Sequence, residues 1–388
     1  FIIITFIFYF NLINGQDLNY VFKSGNDGYN CFRIPTIIKA KNGTILAFAE
    51  GRKKSCSDTG DVDLVYKKSF DNGITWSSLK VIWDDGNNTC GNPSPVVDIK
   101  SGRISLLSTW NRGEDKEWQI IDQKSIDTRH VFLLHSNDNG DSWSKPQEIT
   151  ADVKLKNWTW YATGPVNGIQ LKKGKNKGRL IIPCDHIEAK TKHYYSHIIY
   201  SDDGGINWNL GGSTSQHQVN ECTIIELNNG DLVLNMRNYT DDRLRKVSIS
   251  KNQGISWGDI FSDPSLIEPI CQASMINIQR PLKKDIVAFS NPNSKSSREK
   301  MTIQFSFDKT KTWSKKVLIH DGPSAYSNLI NLNNGPKKLI SFLIYFRGIN
   351  IRWFIYKVFG ISCRKFFKNP IAIFYMPTIF FCNNFINN

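Results

Sequence analysis

Side chains that could do chemistry stand in short motifs spread along the chain. The motifs are CFRIPT with Arg33, CSDTGDVD with Asp58, NECTIIEL with Glu221, NMRN with Arg237, SSREK with Arg298 and GPSAYSNL with Tyr326. A guanidinium stays charged and binds a carboxylate through a fork of two hydrogen bonds. A carboxyl group can donate or accept a proton, and a phenol becomes a nucleophile when a base takes its proton. Each residue alone has a common structural explanation, so only their combination carries information.

Five copies of one octapeptide lie between these motifs and predict the elements that must position them. The copies are Ser69–Trp76, Ser136–Trp143, Ser201–Trp208, Ser250–Trp257 and Ser306–Trp313. Their pattern is Ser-x-Asp-x-Gly-x-Thr/Ser-Trp, with Asn252 replacing Asp in the fourth copy and Thr310 replacing Gly in the fifth. We expect a hairpin in each copy, with Asp accepting backbone hydrogen bonds, Gly at a positive φ and Trp as a buried anchor. Such repeats indicate an all-β propeller.

Composition agrees with this fold and argues against a nucleic-acid partner. The chain has 388 residues, and its 11 Trp fit about one Trp per blade hairpin. The net charge is +14, but eight of the 49 Lys and Arg residues follow Asp321, after which Asp and Glu do not occur. The positive charge therefore comes largely from a biased tail and forms no basic stripe interleaved with aromatic residues.

The first residues suggest export. The apolar run Phe1–Ile13 is too short to span a bilayer and precedes small and polar residues, so we interpret residues 1–16 as a signal peptide without its initiator Met. A buried first strand is the alternative. We expect a secreted or extracellular protein, or one in a lysosomal-type compartment, with no stable membrane span. Sequons for N-glycosylation occur at Asn42, Asn87, Asn157 and Asn238.

The motifs together resemble the sialidase (neuraminidase) family, the bacterial and animal exo-α-sialidases with Asp-box repeats. Besides those quoted above, the resemblance rests on AFAEGR, GNPSPVVD, WYATGPVNGIQL and CQAS, and it covers roughly Tyr20–Tyr345. It implies a six-bladed β-propeller over residues 17–345, with the site at one end of the central axis. It also implies no cofactor, and the absence of a Cys-x-x-Cys pair is consistent with no metal site.

The resemblance assigns roles to the arginines and carboxyl groups. Arg33, Arg237 and Arg298 match the three arginines that grip the substrate carboxylate, and Arg52 matches a fourth that contacts the hydroxyl side of the sugar. Asp58 matches the acid/base, which would protonate the leaving oxygen and then activate water. The nearby Asp61 and Asp63 are alternatives, although Asp63 begins a strand and is expected to be structural.

Tyr326 matches the nucleophile of the family, with Glu221 as its base. The anomeric carbon of sialic acid carries its own carboxylate, which would repel an Asp or Glu nucleophile. A neutral phenol avoids this repulsion, but with a pKa of about 10 it needs a base. Sialidases depart in this way from the two-carboxylate pattern of most glycosidases.

Three further residues are expected to shape the sugar pocket, with simple blade packing as the alternative for each. Asn92 lies in the Asn-Pro-Ser string that would line the site, and Trp110 and Tyr161 would wall the pockets for the N-acyl and glycerol groups. The even number of cysteines before the tail permits disulfides. We predict a bond between Cys56 and Cys90, because both lie two residues before a site residue.

The end of the chain departs from the family. Phe346 stands where the family has a Glu that orients the first arginine, and residues 346–388 resemble no sialidase sequence. We therefore expect regular strands to about Tyr345, irregular chain beyond it, and a last blade left incomplete by a tail from a shifted frame or an intron. A genuine substitution with reduced activity is the alternative.

The sequence thus predicts a retaining exo-α-sialidase that acts on sialylated glycoproteins, glycolipids or oligosaccharides. A catalytically impaired sialic-acid-binding propeller is one alternative, since the carboxylate grip could survive without turnover. A non-enzymatic Asp-box receptor is another, although such receptors lack the arginine triad. The presence of Asp58, Glu221 and Tyr326 together favours the enzyme.

Overall fold

A computed structural model of the protein describes residues 20–278, 285–332, 339–345 and 352–359, the last two ranges as strands only. Within these residues the chain forms 25 strands and two short helices. Short runs of Val, Ile, Leu and Tyr separated by Gly, Asn and Asp turns account for this, because such runs favour strands. No helix in these ranges is long and apolar enough to cross a membrane.

The elements up to residue 170 include two short helices, α1 (Glu117–Ile121) and α2 (Thr150–Val153). The strands of this part are β1 (Tyr20–Lys23), β2 (Cys31–Lys39), β3 (Ile45–Arg52), β4 (Val62–Ser69), β5 (Lys80–Trp83), β6 (Thr89–Val97), β7 (Ile104–Asn111), β8 (His130–Ser136), β9 (Gln147–Glu148), β10 (Trp158–Thr163) and β11 (Ile169–Gln170).

The later elements are all strands. They are β12 (Leu180–Glu188), β13 (Tyr194–Ser201), β14 (Asn209–Ser213), β15 (Val219–Glu226), β16 (Leu232–Asn238), β17 (Leu244–Ser250), β18 (Phe261–Ile267), β19 (Ser274–Asn277), β20 (Val287–Pro292), β21 (Glu299–Ser306), β22 (Lys315–Pro323), β23 (Ser327–Asn331), β24 (Leu339–Tyr345) and β25 (Arg352–Phe359).

The strands form antiparallel sheets in chain order, as in a propeller. Three four-strand paths run β10-β12-β13-β14, with β11 added beside β12, then β15 to β18 and β19 to β22. An eight-stranded sheet holds β2 to β9, and its two halves are joined by one parallel bridge between Val62 and Thr89. Split at that bridge, the described strands fall into six groups, although the hydrogen-bonded sheets number five. The all-β propeller is confirmed, and six as the number of blades remains a prediction.

The octapeptides form the turns that the sequence predicted. In the first copy, Asp71 Oδ1 accepts hydrogen bonds from the backbone N–H groups of Ile74 and Thr75, each at 2.9 Å. The fourth copy keeps this contact, because Asn252 Oδ1 accepts from the Ser256 N–H at 2.9 Å. Thr310 of the fifth copy has φ 66°, the left-handed conformation that glycine adopts in the other copies. The octapeptide thus tolerates both substitutions without losing its turn.

The expectation of irregular chain after Tyr345 is wrong for Arg352–Phe359, which forms β25. This strand pairs with β24 from residue 353 to residue 359 and with β1 on its other side, in a sheet of order β1-β25-β24-β23. The segment RWFIYKVF is rich in residues that favour strands, and pairing covers a strand edge that would otherwise stay open. Phe346, the proposed signal peptide and the rest of the tail lie outside the described residues.

The predicted bond between Cys56 and Cys90 is wrong. Cys56 is bonded to Cys31 at the start of β2, with the two Cα atoms 5.3 Å apart. Cys90 is a free thiol, is 0% exposed and packs in an apolar cluster beside Trp110. The loop after β3 therefore folds back over β2, while Cys90 acts as a small apolar side chain.

Candidate active site

The antiparallel strands bring the motif residues to one end of the molecule. Arg33 lies near the start of β2, Arg52 ends β3, Glu221 lies near the start of β15, and Arg237 lies near the end of β16. Arg298 and Tyr326 immediately precede β21 and β23, and Asp58 lies in the loop between β3 and β4. The octapeptide turns lie at the other end of the strands, so the repeats build the scaffold and the opposite loops carry the chemistry.

Tyr326, Glu221 and Arg237 form one buried cluster. The Tyr326 hydroxyl donates a hydrogen bond to Glu221 Oε1. Arg237 Nη1 lies 2.6 Å from Glu221 Oε2 and 3.3 Å from the Tyr326 hydroxyl. Burial and the adjacent Glu221 charge raise the pKa of Tyr326 well above its ordinary value, whereas Arg237 and Arg298 oppose the rise. The resting side chain is therefore a phenol, with a carboxylate in place to accept its proton.

Arg298 lies over the Tyr326 ring, with its guanidinium carbon 5.8 Å from the ring centroid. Its Nη2 donates to the Ile270 carbonyl at 2.8 Å, and Ile270 has the unusual φ of 53°. The turn at Ile270 is held by a fully buried ion pair, in which Arg245 Nη1 lies 2.7 Å from Glu268 Oε2 and 2.7 Å from the Cys271 carbonyl. This pair fixes the backbone that supports Arg298.

The Asp58 carboxylate forms ion pairs with two arginines, Arg33 and Arg52. Its Oδ1 lies 2.6 Å from Arg33 Nη1 and 2.9 Å from Arg52 Nη2. Partial desolvation opposes ionisation of Asp58, but the charges of Arg52 and Arg33 and a hydrogen bond from Arg52 keep its pKa below the ordinary value. The resting acid/base candidate is therefore an ionised carboxylate, and it covers part of the arginine grip.

Arg52 is held by a carboxylate that sequence reasoning did not select. Glu50 Oε2 accepts from Arg52 Nε at 3.0 Å, and Glu50 Oε1 accepts from the Asn92 N–H at 2.8 Å. The AFAEGR motif contained the signal, because alternate residues of a strand share one face. Asn92 is 9% exposed, and its Oδ1 accepts from Arg129 Nη2 at 2.6 Å and from Thr109. Asn92 therefore organises the floor of the site.

Three more charged residues near the site were missed. Arg129 is 3% exposed and stacks on the Trp160 ring at 3.9 Å. Asp185 is 1% exposed, and among the described residues its Oδ2 has no hydrogen-bond partner; burial and the Glu221 charge raise its pKa well above the ordinary value. Glu117 lies close enough to both Asp58 and Glu221 to interact electrostatically with their carboxylates. Only the polar Asp185 in the apolar strand LIIPCDHIE offered a sequence signal.

The remaining residues singled out in the sequence, Tyr161, Trp110 and Asp63, differ in their burial and in their contacts. Tyr161 is 0% exposed and packs in a blade core with Trp158, a position that favours packing over a pocket wall. Trp110 is partly exposed, and its indole N–H donates to Asp85 at 2.7 Å. Asp63 is 0% exposed and accepts a hydrogen bond from the Tyr29 hydroxyl at 2.6 Å, so it has the structural role expected of it.

Comparison with known proteins agrees with this fold. Residues 43–339 match the family model of the BNR repeat-like domain. The chain is 31% identical over 319 residues to a sialidase of Bacteroides fragilis, a match that covers 77% of this chain and 57% of the relative. It is 33% identical over 303 residues to an exo-alpha-sialidase of Aspergillus fumigatus, covering 72% of this chain and 69% of the relative. The chain belongs to the sialidase family.

A solved structure supports the same assignment. Hadza microbial sialidase Hz136 has a TM-score of 0.75 to this protein at 27% sequence identity, and the likeness covers 86% of this chain and 66% of that one. The match to the Bacteroides relative spans little more than half of that protein's length.

Proposed function

We propose that this protein is an exo-α-sialidase that hydrolyses terminal sialic acid from glycoconjugates with retention of configuration. The observation that carries the proposal is the buried contact of the Tyr326 hydroxyl with Glu221, with Arg237 touching both. A phenol paired with a carboxylate beside cationic groups suits attack on an anomeric carbon that carries a negatively charged carboxylate group. The names of the related sialidases support the same activity.

In the first step, Arg33, Arg237 and Arg298 bind the carboxylate of the substrate. Because Asp58 already contacts Arg33 at 2.6 Å, the substrate carboxylate must displace it from that arginine. Asp58 then loses one of the cations that keep it ionised, while the bound sugar removes water from it. Both changes raise its pKa, so substrate binding would itself favour the protonated acid that the leaving oxygen needs.

The chemistry then proceeds through a covalent intermediate. Glu221 takes the Tyr326 proton as the phenol oxygen attacks the anomeric carbon, and Asp58 gives its proton to the leaving oxygen. In the second step Asp58 takes a proton from water, the water oxygen attacks the same carbon, and Tyr326 leaves with the proton held by Glu221. Two inversions at one carbon give net retention.

Activity is tested with the full chain on a sialyl oligosaccharide and a fluorogenic aryl sialoside. We expect release of free sialic acid from both, and nuclear magnetic resonance should show the α-anomer as the first product. The alternative of a catalytically impaired propeller that still binds sialic acid predicts a complex with sialic acid but no turnover. The receptor alternative predicts no sialic-acid-dependent binding, and either outcome would overturn the proposal.

We also propose that the protein is secreted and acts on sialylated glycoproteins, glycolipids or oligosaccharides. The Cys31–Cys56 disulfide supports this location, since disulfides persist in oxidising compartments. Asn42, Asn87 and Asn157 are exposed and suit glycosylation, whereas Asn238 is 1% exposed and its side-chain amide donates to Asp242. Removing N-glycans from protein secreted by a eukaryotic host should change its mass by at most three glycans.

A further inference from the structure

The loop that carries Asp58 has no regular structure of its own. It comprises residues 53–61, between the end of β3 and the start of β4, and all of its residues lie outside strands and helices. The Asp58 side chain is 61% exposed, so packing does little to fix it. A general acid must nevertheless come within hydrogen-bond reach of the leaving oxygen. The position of Asp58 therefore depends on specific bonds between this loop and the strands.

The disulfide between Cys31 and Cys56 is one of these bonds. Cys31 lies two residues before Arg33, and Cys56 lies two residues before Asp58. The side chains of Cys31 and Arg33 share one face of β2, because alternate residues of a strand point to the same side. The bond therefore brings the loop onto the face of β2 that carries Arg33, where Asp58 Oδ1 lies 2.6 Å from Arg33 Nη1.

The disulfide also shortens the free chain on one side of Asp58. The nearest strand residue before Asp58 is Arg52, six residues away, so that segment alone could reach about 20 Å at roughly 3.3–3.6 Å per residue. The bond at Cys56 leaves two residues, a reach of about 7 Å. On the other side, the Gly60 N–H donates to Thr89 Oγ1 at 3.1 Å. Asp58 is thus tied two residues away in both directions.

Substrate binding removes part of the non-covalent hold on the loop. In the proposed mechanism the substrate carboxylate displaces Asp58 from Arg33. Arg52 Nη1 still donates to the carbonyls of Cys56 and Ser57. Those hydrogen bonds can be exchanged for bonds to water at a small net cost, whereas the disulfide cannot be exchanged in this way. The disulfide therefore still holds the loop when the acid must donate its proton.

We propose that the Cys31–Cys56 disulfide positions the general acid, holding Asp58 at the leaving oxygen after the substrate has taken Arg33. The inference rests on the proposed sialidase activity, and it gives the two cysteines a positioning role without a place in the chemistry. Such a role predicts a loss that depends on the leaving group, because only a poor leaving group needs the proton. A contribution to stability alone predicts equal losses for all substrates.

The test removes the bond with the double substitution Cys31→Ala and Cys56→Ser. Alanine suits the fully buried Cys31, and serine suits the partly exposed Cys56. General acid catalysis contributes about 10²–10⁴-fold, and a mobile acid retains part of this, so kcat/KM for sialyllactose should fall roughly 10- to 100-fold. An aryl sialoside with an acidic leaving group should lose less than about threefold, since its departure needs little protonation. The inhibition constant of sialic acid should not rise with the loss.

Cys90→Ala is the matched control. It removes a buried sulfur that belongs to no disulfide, so it should leave the ratio of kcat/KM for the two substrates unchanged. Should the double variant fail to fold, the folded parent is treated with a dithiol, which reduces the bond to two thiols and is itself oxidised to a cyclic disulfide. Alkylation and mass spectrometry identify the opened bond. The ratio should then shift as in the double variant, and reoxidation by a small-molecule disulfide should restore it.

The outcomes separate this inference from the activity on which it rests. Equal losses for both substrates, or undiminished cleavage of sialyllactose with the bond open, would overturn the positioning role. A rise in the inhibition constant as large as the loss in kcat/KM would also overturn it, because the whole site would then be disturbed. If the parent protein cleaves neither substrate, it is the proposed function that fails.

Discussion

The two halves of the candidate site are built in opposite ways. The nucleophile half joins Tyr326, Glu221 and Arg237 through strands, and the Glu221 side chain is only 10% exposed. The acid half depends on Asp58, which stands in the loop between β3 and β4 with a side chain that is 61% exposed. One half is preassembled, whereas the other is held by two ion pairs, of which the substrate must replace the one to Arg33.

This difference follows from what each half must do. Proton transfer from a phenol needs a base that is held in a fixed position. In a site of low dielectric constant electrostatic interactions are strong, and groups that are already positioned need not reorganise during the reaction. The acid must first be protonated and later accept a proton, so its surroundings must change during the cycle. We therefore expect substitutions in the nucleophile half to impair every substrate equally, and substitutions in the acid half to depend on the leaving group.

The largest effect should come from Tyr326→Phe. The variant keeps the ring and the three arginines but lacks the attacking oxygen, so turnover of every sialoside should fall by orders of magnitude while a planar sialic acid analogue still binds. Tyr29→Phe is the matched control, since Tyr29 also donates to a buried carboxylate, Asp63, but has no catalytic role here. Near-normal turnover of Tyr326→Phe would remove Tyr326 as nucleophile.

Asp58→Asn should give a loss that depends on the leaving group. For sialyllactose we expect a fall in kcat/KM of about 10²–10⁴-fold, because the sugar alkoxide cannot leave without a proton. An aryl sialoside with an acidic leaving group should lose far less in the glycosylation step. Equal losses for both substrates would show that the two halves do not differ as described.

Arg298→Lys should produce an intermediate effect. Lysine keeps the charge but loses the fork that binds a carboxylate through two bonds. Since hydrogen bonds to charged groups contribute about 1.5–3 kcal/mol, the inhibition constant of sialic acid should rise roughly 10- to 100-fold. The thermal midpoint should change little, and an unaltered inhibition constant would take Arg298 out of the carboxylate grip.

The smallest effects should come from the scaffold. Asp71→Asn should cost little stability, because Asn252 already serves the same turn in the fourth octapeptide. Asp71→Ala removes the acceptor and should cost about 0.5–2 kcal/mol, as loss of a comparable cap does. Chemical denaturation measures both, and kcat should stay unchanged at a temperature where each variant is folded.

The Asp71 carboxylate also makes the stability of the protein depend on pH. Partial desolvation opposes ionisation of Asp71, but its hydrogen bonds from Thr75, Ser69 and Ile74 lower its pKa to about 2. Its stabilising contribution is therefore complete above the unfolded value of about 3.9 and is lost as the pH falls toward 2. Between pH 5 and pH 2 the parent should lose more stability than Asp71→Asn, which has no titrating group at that position.

Short sequence motifs predicted the features that depend on interactions between residues close together in the chain. Each octapeptide contains its own turn, so the repeats and the propeller could be inferred from sequence, and the motifs located both halves of the site. The Cys31–Cys56 bond and the stacking of Arg129 on Trp160 could not, because they depend on how loops and strands meet across the fold. The Arg52–Glu50 contact and the buried Asp185 each left a signal within a single strand, which sequence reasoning passed over. The strand β25 was missed because composition described the tail as a whole, while eight of its residues suffice to pair with β1 and β24.

The most direct test of the central claim is to trap the intermediate. A sialyl fluoride with a second fluorine beside the anomeric carbon slows the second step more than the first, so the covalent enzyme should accumulate. Peptide mass spectrometry should then find the sugar on Tyr326, and Tyr326→Phe should remain unlabelled. A label on Glu221 or on another carboxylate, or rapid turnover of sialosides with no label on Tyr326, would contradict the account.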